Sequence, residues 1–236
     1  LYSSLQIVNG NPAVSYYDYL GTKLKYIRAT NASGTAWSAP VTVDAIVGMG
    51  FYTSLQVVNG NPAISYSSGN SLALRYVRAT NVNGSAWAAP VSIDQTVFVG
   101  YKTSLQVVNG YPAISYYDVT NRNLRYIRAT NASGTVWGVP DSLDRPGDVG
   151  SYNSMQIING NPAISYYDAT LGLLRFIGST LVTQLCPGGN SSILSNLTGI
   201  NYQWQLNTGT GFVNISDNAN YAGTNTNTLQ LTNIPS

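Results

Sequence analysis

Residues 54–65 read SLQVVNGNPAIS: a β-rich run, an Asn-Gly pair and a second β-rich run. The same words return every 50 residues, as SLQIVNGNPAVS from Ser4, SLQVVNGYPAIS from Ser104 and SMQIINGNPAIS from Ser154. Neither insertion nor deletion breaks the spacing. A period this long and regular implies an array of like supersecondary units, so the architecture follows from what one unit builds.

Within residues 51–100, TSLQVVNG is a strand stopped by Asn59-Gly60, a strong hairpin dipeptide. NPAISY resumes with Pro62 at a strand start, where its missing N–H is tolerated. Ser67, Ser68, Gly69 and Asn70 form a turn. LALRYVRAT is a third strand, NVNGS a loop, AWAAPVSID a fourth strand, and QTVFVG leads into the next copy. Four short strands in about 40–50 residues is the length of one propeller blade. Coils of a β-helix are shorter, and the 3.6 period of a helical repeat is absent. Leu55 and Val57 lie on one face of their strand and Val58 on the other; Ile64 and Tyr66 oppose Ala63. Strands apolar on both faces suit a blade packed between two others. The expected fold is all-β: a β-propeller of four-stranded antiparallel blades over residues 1–180, with units 1–50, 51–100, 101–150 and a partial 151–180.

Recurrent residues read first as scaffold. Gly10, Gly60, Gly110 and Gly160 supply the positive φ of the hairpin turns. Trp37, Trp87 and Trp137 are expected to be largely buried as wedges between blades. Arg28, Arg78 and Arg128 on the third strand are expected to pair with Asp44, Asp94 and Asp144 at the end of the fourth, because buried charges are normally paired.

The unit SLQVVNG-x-PAISYYD…LRYIRAT…G…W…P resembles repeats of secreted bacterial proteins that form β-propellers. Residues 30–37, TNASGTAW, resemble an Asp-box, the turn between the last two strands of a sialidase-type blade. Hydroxyl, glycine and tryptophan match; the aspartate position holds Ala32, Val82 and Ala132. The resemblance implies blade geometry and does not extend to sialidase activity.

The repeat stops after Ile177, where GSTLVTQLCPGGNSS replaces the fourth strand. Residues 181–236 resemble immunoglobulin-like modules of bacterial surface proteins, with a Cys-x-Gly-Gly opening and a Tyr-Gln-Trp-Gln strand. That resemblance implies a core tryptophan at Trp204 and, at Cys186, half of an inter-sheet disulfide whose partner lies outside this chain segment. About 56 residues is short for a sandwich of roughly 100, so the module is expected to be truncated. The partial fourth unit points the same way: the chain reads as an interior piece of a longer protein, whose further domains would be its partners.

Charge is sparse: 11 Lys and Arg against 9 acidic residues, all aspartate, with no histidine and no glutamate. A net charge of +2 without basic clusters gives no footprint for nucleic acid. No apolar run approaches the roughly 20 residues of a membrane-spanning helix, so no membrane insertion is expected. The Asn/Thr/Ser/Tyr-rich, charge-poor composition fits an extracellular or cell-surface location.

Without histidine there is no Ser-His-Asp or Cys-His arrangement and no imidazole metal site. Without glutamate, a carboxylate pair for glycoside cleavage must come from the aspartates. Asp18, Asp118 and Asp168, like Asp44, Asp94 and Asp144, recur in repeat register, as scaffold residues do. Asp141, Asp148 and Asp217 have no evident partners. No catalytic residue, cofactor or metal is therefore expected; the oxygen-rich DVTNRN and SDNAN stretches lack calcium-loop spacing and read as Asx turns.

The connections after the second strand differ between copies, as do those after the fourth, while NGNP and TNASGT barely change. A variable face on a constant scaffold is where recognition usually resides. The expected ligand-binding residues are Tyr17, Asp18, Tyr117, Asp118, Arg122, Tyr167 and Asp168, with a glycan or surface protein as partner. The leading functional expectation is a non-catalytic binding or adhesion module; the alternatives are an architectural spacer and an accessory region of a larger secreted enzyme.

Overall fold

The computed structural model describes residues 1–69, 73–94, 96, 98–145, 147–178, 191–194, 203–207 and 212–232. The chain divides into two compact units, Leu1–Arg175 and Phe176–Ser236. Every regular element among the described residues is a β-strand.

In the first unit, β1 (Ser4–Val8), β2 (Asn11–Asp18), β3 (Lys23–Arg28) and β4 (Val41–Asp44) form an antiparallel sheet in sequence order. The second sheet holds β5 (Met49–Val58), β6 (Asn61–Ser68), β7 (Leu74–Arg78) and β8 (Val91–Asp94). The third holds β9 (Val99–Val108), β10 (Tyr111–Asp118), β11 (Asn123–Arg128) and β12 (Asp141–Asp144). A fourth has three strands: β13 (Val149–Ile158), β14 (Asn161–Asp168) and β15 (Leu173–Gly178). These four-stranded antiparallel sheets, 50 residues apart, are the blades the repeat implies.

Local chemistry sets the blade. Asn9 and Gly10 both adopt positive φ, 44° and 77°, the geometry that lets a two-residue hairpin follow the twist of its strands. Val8 consequently pairs with Asn11, and the register is fixed. In the TNASGT turn Asn31 holds the loop: its Oδ1 accepts Thr35 N at 3.0 Å and its Nδ2 donates to Thr35 Oγ1 at 2.8 Å.

The cores lie between blades. One cluster joins Val8, Leu24 and Tyr26 of the first blade to Leu55, Ile64 and Tyr66 of the second; another joins Val58, Leu74 and Tyr76 to Leu105, Ile114 and Tyr116. Polar ladders repeat with the same offset: Gln6 Nε2 donates to Gln56 Oε1 at 2.9 Å, and Gln56 Nε2 to Gln106 Oε1 at 2.9 Å. Gly50 and Gly150 permit the close approach, since a Cβ there would lie 2.9 Å and 2.5 Å from the Cα of Leu24 and Leu124 on the preceding blade.

Two expectations are corrected. Trp87 and Trp137 are only half-buried and Trp37 is 41% exposed. Each indole caps its own turn, as Trp37 Nε1 donates to Gly34 O, and two of them lay an edge on the neighbouring blade: Trp87 meets Tyr26 at 5.1 Å and Trp137 meets Tyr76 at 5.2 Å. The Arg–Asp pairing also differs. Arg28 and Arg78 donate to the carbonyls of the hairpin turn, Val8 and Asn9 in one copy, Val58 and Asn59 in the next. Arg28 is opposite Ala13 at one end of the sheet, whereas Asp44 is opposite Leu24 near the other. Four residues of strand, about 13 Å, separate them.

In the second unit β16 (Ser191–Leu194) and β19 (Tyr221–Ala222) flank β20 (Thr228–Leu231), and β17 (Gln205–Asn207) pairs with β18 (Phe212–Asn214). Trp204 is half-buried and its Nε1 donates to Thr226 O at 2.8 Å. Asp217 has a partner after all: it accepts Thr224 N and Oγ1, and these bonds hold its carboxyl below the ordinary value. Cys186 lies outside the described residues.

Candidate functional site

Three polar stations recur where blades meet. Asp44 Oδ2 accepts the hydroxyl of Tyr66 at 2.7 Å and faces Arg75 at 3.5 Å. Asp94 does the same with Tyr116 at 2.8 Å and Arg125 at 3.1 Å, and Asp144 with Tyr166 at 2.6 Å and Arg175 at 3.3 Å. Burial, then the bond to the aspartate, pushes the Tyr66 hydroxyl well above its ordinary range. Such a tyrosine stays protonated and is no nucleophile. These stations lock blades together.

The expected binding residues are mostly drawn into the scaffold. Tyr17 is buried against Phe51 at 4.3 Å, and Asp18 is half-buried. Asp118 is fully buried, accepting Asn121 N and Nδ2 and facing Arg125 at 3.4 Å. Asp168 is buried against Arg175 Nε at 2.7 Å. Tyr117 is buried and donates to Asp148 at 2.5 Å. Arg122 and Tyr167 are exposed. Tyr17 and Tyr117 reach into the segment of the following blade, at Phe51 and Asp148.

Convergence occurs elsewhere, on the first strand of every blade. In β5, Phe51 pairs with Ser67 and Ser54 with Ser65, so Tyr52 and Thr53 face a single residue of β6. This bulge gives Tyr52 a φ of 53°, and the equivalent Tyr2, Lys102 and Tyr152 have 54°, 55° and 54°. Positive φ strains a bulky residue and turns its side chain away from the pleat, a cost of the kind found at functional sites. The next residue fixes each bulge to its neighbour: Thr53 Oγ1 donates to Tyr2 O, Thr103 Oγ1 to Tyr52 O, and Asn153 Nδ2 to Lys102 O.

The four bulged residues line one open hollow of about 300 Å³. Tyr2 and Tyr52 meet at 4.4 Å between ring centroids, and Tyr52 and Tyr101 at 4.2 Å. Tyr101 continues to Tyr117 at 6.4 Å, which carries the array to Asp148. Burial and hydrogen bonds to Tyr101 and Tyr2 raise the Tyr52 hydroxyl far above its ordinary value, so it remains neutral. Burial, then the bond to Asp148, does the same for Tyr117. The result is a cluster of mutually tilted rings with neutral hydroxyls, one ammonium and a half-buried carboxylate at its end. Such rings stack and hydrogen-bond polar ring-shaped ligands. Sequence reasoning passed over position 2 of the repeat, although the change from tyrosine to Lys102 was visible there.

No protein-family model and no curated protein matches this chain in sequence. Solved structures share its fold. An α-L-arabinanase of Cellvibrio cellulosa, complexed with arabinohexaose, superposes with a TM-score of 0.50 at 12% identity, over 75% of this chain and 72% of that one. The Hadza microbial sialidase Hz136 gives 0.54 at 16% identity, over 75% of this chain but 36% of its own. The NanB sialidase of Streptococcus pneumoniae gives 0.50 at 12% identity, over 73% and 28%. The fold defined by these structures is the β-propeller. They also correct an expectation: the non-catalytic module read from the missing histidine and glutamate is overturned, because the propellers that share this fold are glycan-cleaving enzymes.

Proposed function

We propose that this chain is the propeller of a glycan-cleaving enzyme, with saccharide seated in the hollow at Tyr2, Tyr52, Lys102 and Tyr152. The observation that carries the reading is the convergence of these four strained residues, one from each blade, on one aromatic-lined hollow. The arabinanase and the sialidases of like fold support the substrate class.

Glycoside cleavage requires carboxylates flanking the scissile bond. Asp44, Asp94, Asp118, Asp144 and Asp168 are engaged by arginines. Asp148 is half-buried, accepts a hydroxyl that stays protonated, and is reached from the hollow through Tyr101 and Tyr117. It is the carboxylate nominated as one member of that pair. On this reading the enzyme works outside the cell, the TNASGT turns are Asp-box-like blade turns, and residues 181–236 belong to an immunoglobulin-like module that follows the propeller in sequence.

The test is hydrolysis by the full chain of a panel of nitrophenyl glycosides and plant and host polysaccharides, followed by reducing-end release. Asp148→Asn should lower turnover by about 10²–10⁴, with the melting temperature nearly unchanged. No cleavage anywhere in the panel, or full activity in the variant, would overturn the assignment.

A further inference from the structure

We propose that the hollow selects saccharides bearing a negative charge, a carboxylate or a sulfate ester, and that Lys102 selects them. The inference rests on the hollow being the glycan site and adds what that site prefers. Position 2 of the repeat is tyrosine in three blades and lysine in one, with φ within 53–55° in all four, so the exchange alters chemistry and leaves the backbone alone. Lys102 Nζ lies 4.9 Å from the ring centroid of Tyr52, 4.6 Å from Tyr152 and 5.7 Å from Tyr101. The negative faces of these rings hold the ammonium over the hollow without neutralising its charge.

Among the described residues every ion pair is made by Arg75, Arg125 or Arg175, and Lys102 takes part in none. Its donors are therefore available to a ligand. A partly buried ammonium outside any ion pair attracts an anion more strongly than one in open water, because less solvent screens it. A sugar stacked on Tyr52 or Tyr152 would set a ring substituent beside this group. The identity of residues repeated in every blade reports packing; the single departure in a ring of four is where specificity can enter.

The experiment uses the intact chain and calorimetric titration with three probes: a neutral arabinotriose, trigalacturonate and a sulfated trisaccharide. Lys102→Tyr restores the residue carried by the other blades and should fold; Lys102→Arg keeps the charge. The expected result is that at least one charged probe binds about tenfold or more tighter than the neutral one. Lys102→Tyr should abolish that preference, and Lys102→Arg should retain it. Comparison of the two charged probes decides between carboxylate and sulfate. Neutral binding as tight as charged, or a preference that survives Lys102→Tyr, overturns the inference and leaves the glycan site standing. Failure of all three probes, with no cleavage, overturns both.

Discussion

Asp94 accepts the hydroxyl of Tyr116 at 2.8 Å, although the two belong to different blades and lie 22 residues apart. Asp44 with Tyr66 and Asp144 with Tyr166 repeat the bond at the same offset. Each pair is closed by an arginine, so that a buried acid, a buried phenol and a cation satisfy one another where apolar packing ends. The blades are thereby fixed in rotation as well as in contact, and the bulged first strands that form the hollow inherit that alignment.

Breaking this triad should be costly in proportion to what it strands. Asp94→Ala leaves Tyr116 buried without its acceptor and Arg125 with Asp118 alone, and should cost about 3–5 kcal/mol. Tyr116→Phe keeps the ion pair and should cost about 1–3 kcal/mol. Urea unfolding followed by tryptophan fluorescence distinguishes the two; equal losses would deny the arginine its share.

Stability should fail in alkali. Tyr66, Tyr116 and Tyr166 ionise well above their ordinary value of 10.0 in the folded protein, chiefly through burial. The folded state then holds protons that the unfolded state releases. Their contribution is fully present below pH 10 and is lost as pH rises beyond it toward the folded values. The melting temperature should be flat with respect to these groups up to about pH 9 and fall steeply above 10, with the phenolate absorbance of these three appearing only on unfolding. Phenolate signals from these residues in a still-folded protein would contradict this.

The second blade offers a repair. It has Ser68 where the third and fourth blades carry Asp118 and Asp168; Arg75 Nε is buried with no hydrogen-bond partner, and so is Arg125 Nε, whose Asp118 is engaged by Nη1 instead. Asp168 meets the equivalent Nε of Arg175 at 2.7 Å. Ser68→Asp should therefore stabilise the protein by about 1 kcal/mol, read as a raised urea midpoint. A lowered midpoint would show that the Ser67–Ser68 turn cannot take the geometry of its counterparts.

The tryptophans should be unequal. Trp87 packs its edge on Tyr26, whereas Trp37 is substantially exposed. Trp87→Ala should cost about 2–3 kcal/mol and Trp37→Ala under about 1 kcal/mol. Thermal melts of the two variants side by side check the order.

The sequence alone determined the blade. Strand positions, the Asn-Gly hairpins and the sheet order follow from local rules: a residue pair that demands positive φ, an apolar alternation, and a period that repeats both. What crosses between blades was not legible. The triads join residues 22 and 31 apart, and recurrence along the chain could not say that Asp44 meets Arg75 of the next blade rather than Arg28 of its own. The candidate site escaped for a related reason. Tyr2, Tyr52, Lys102 and Tyr152 look like strand residues in any one copy, and Tyr117 and Asp118 look like a surface turn. Only stacking of the blades sets the bulged positions around one hollow, whereas Asp118 meets Arg125 within its own blade. Hydrogen bonding along a strand is a local matter, whereas burial and convergence depend on which neighbour each face meets, and that is decided by tertiary packing.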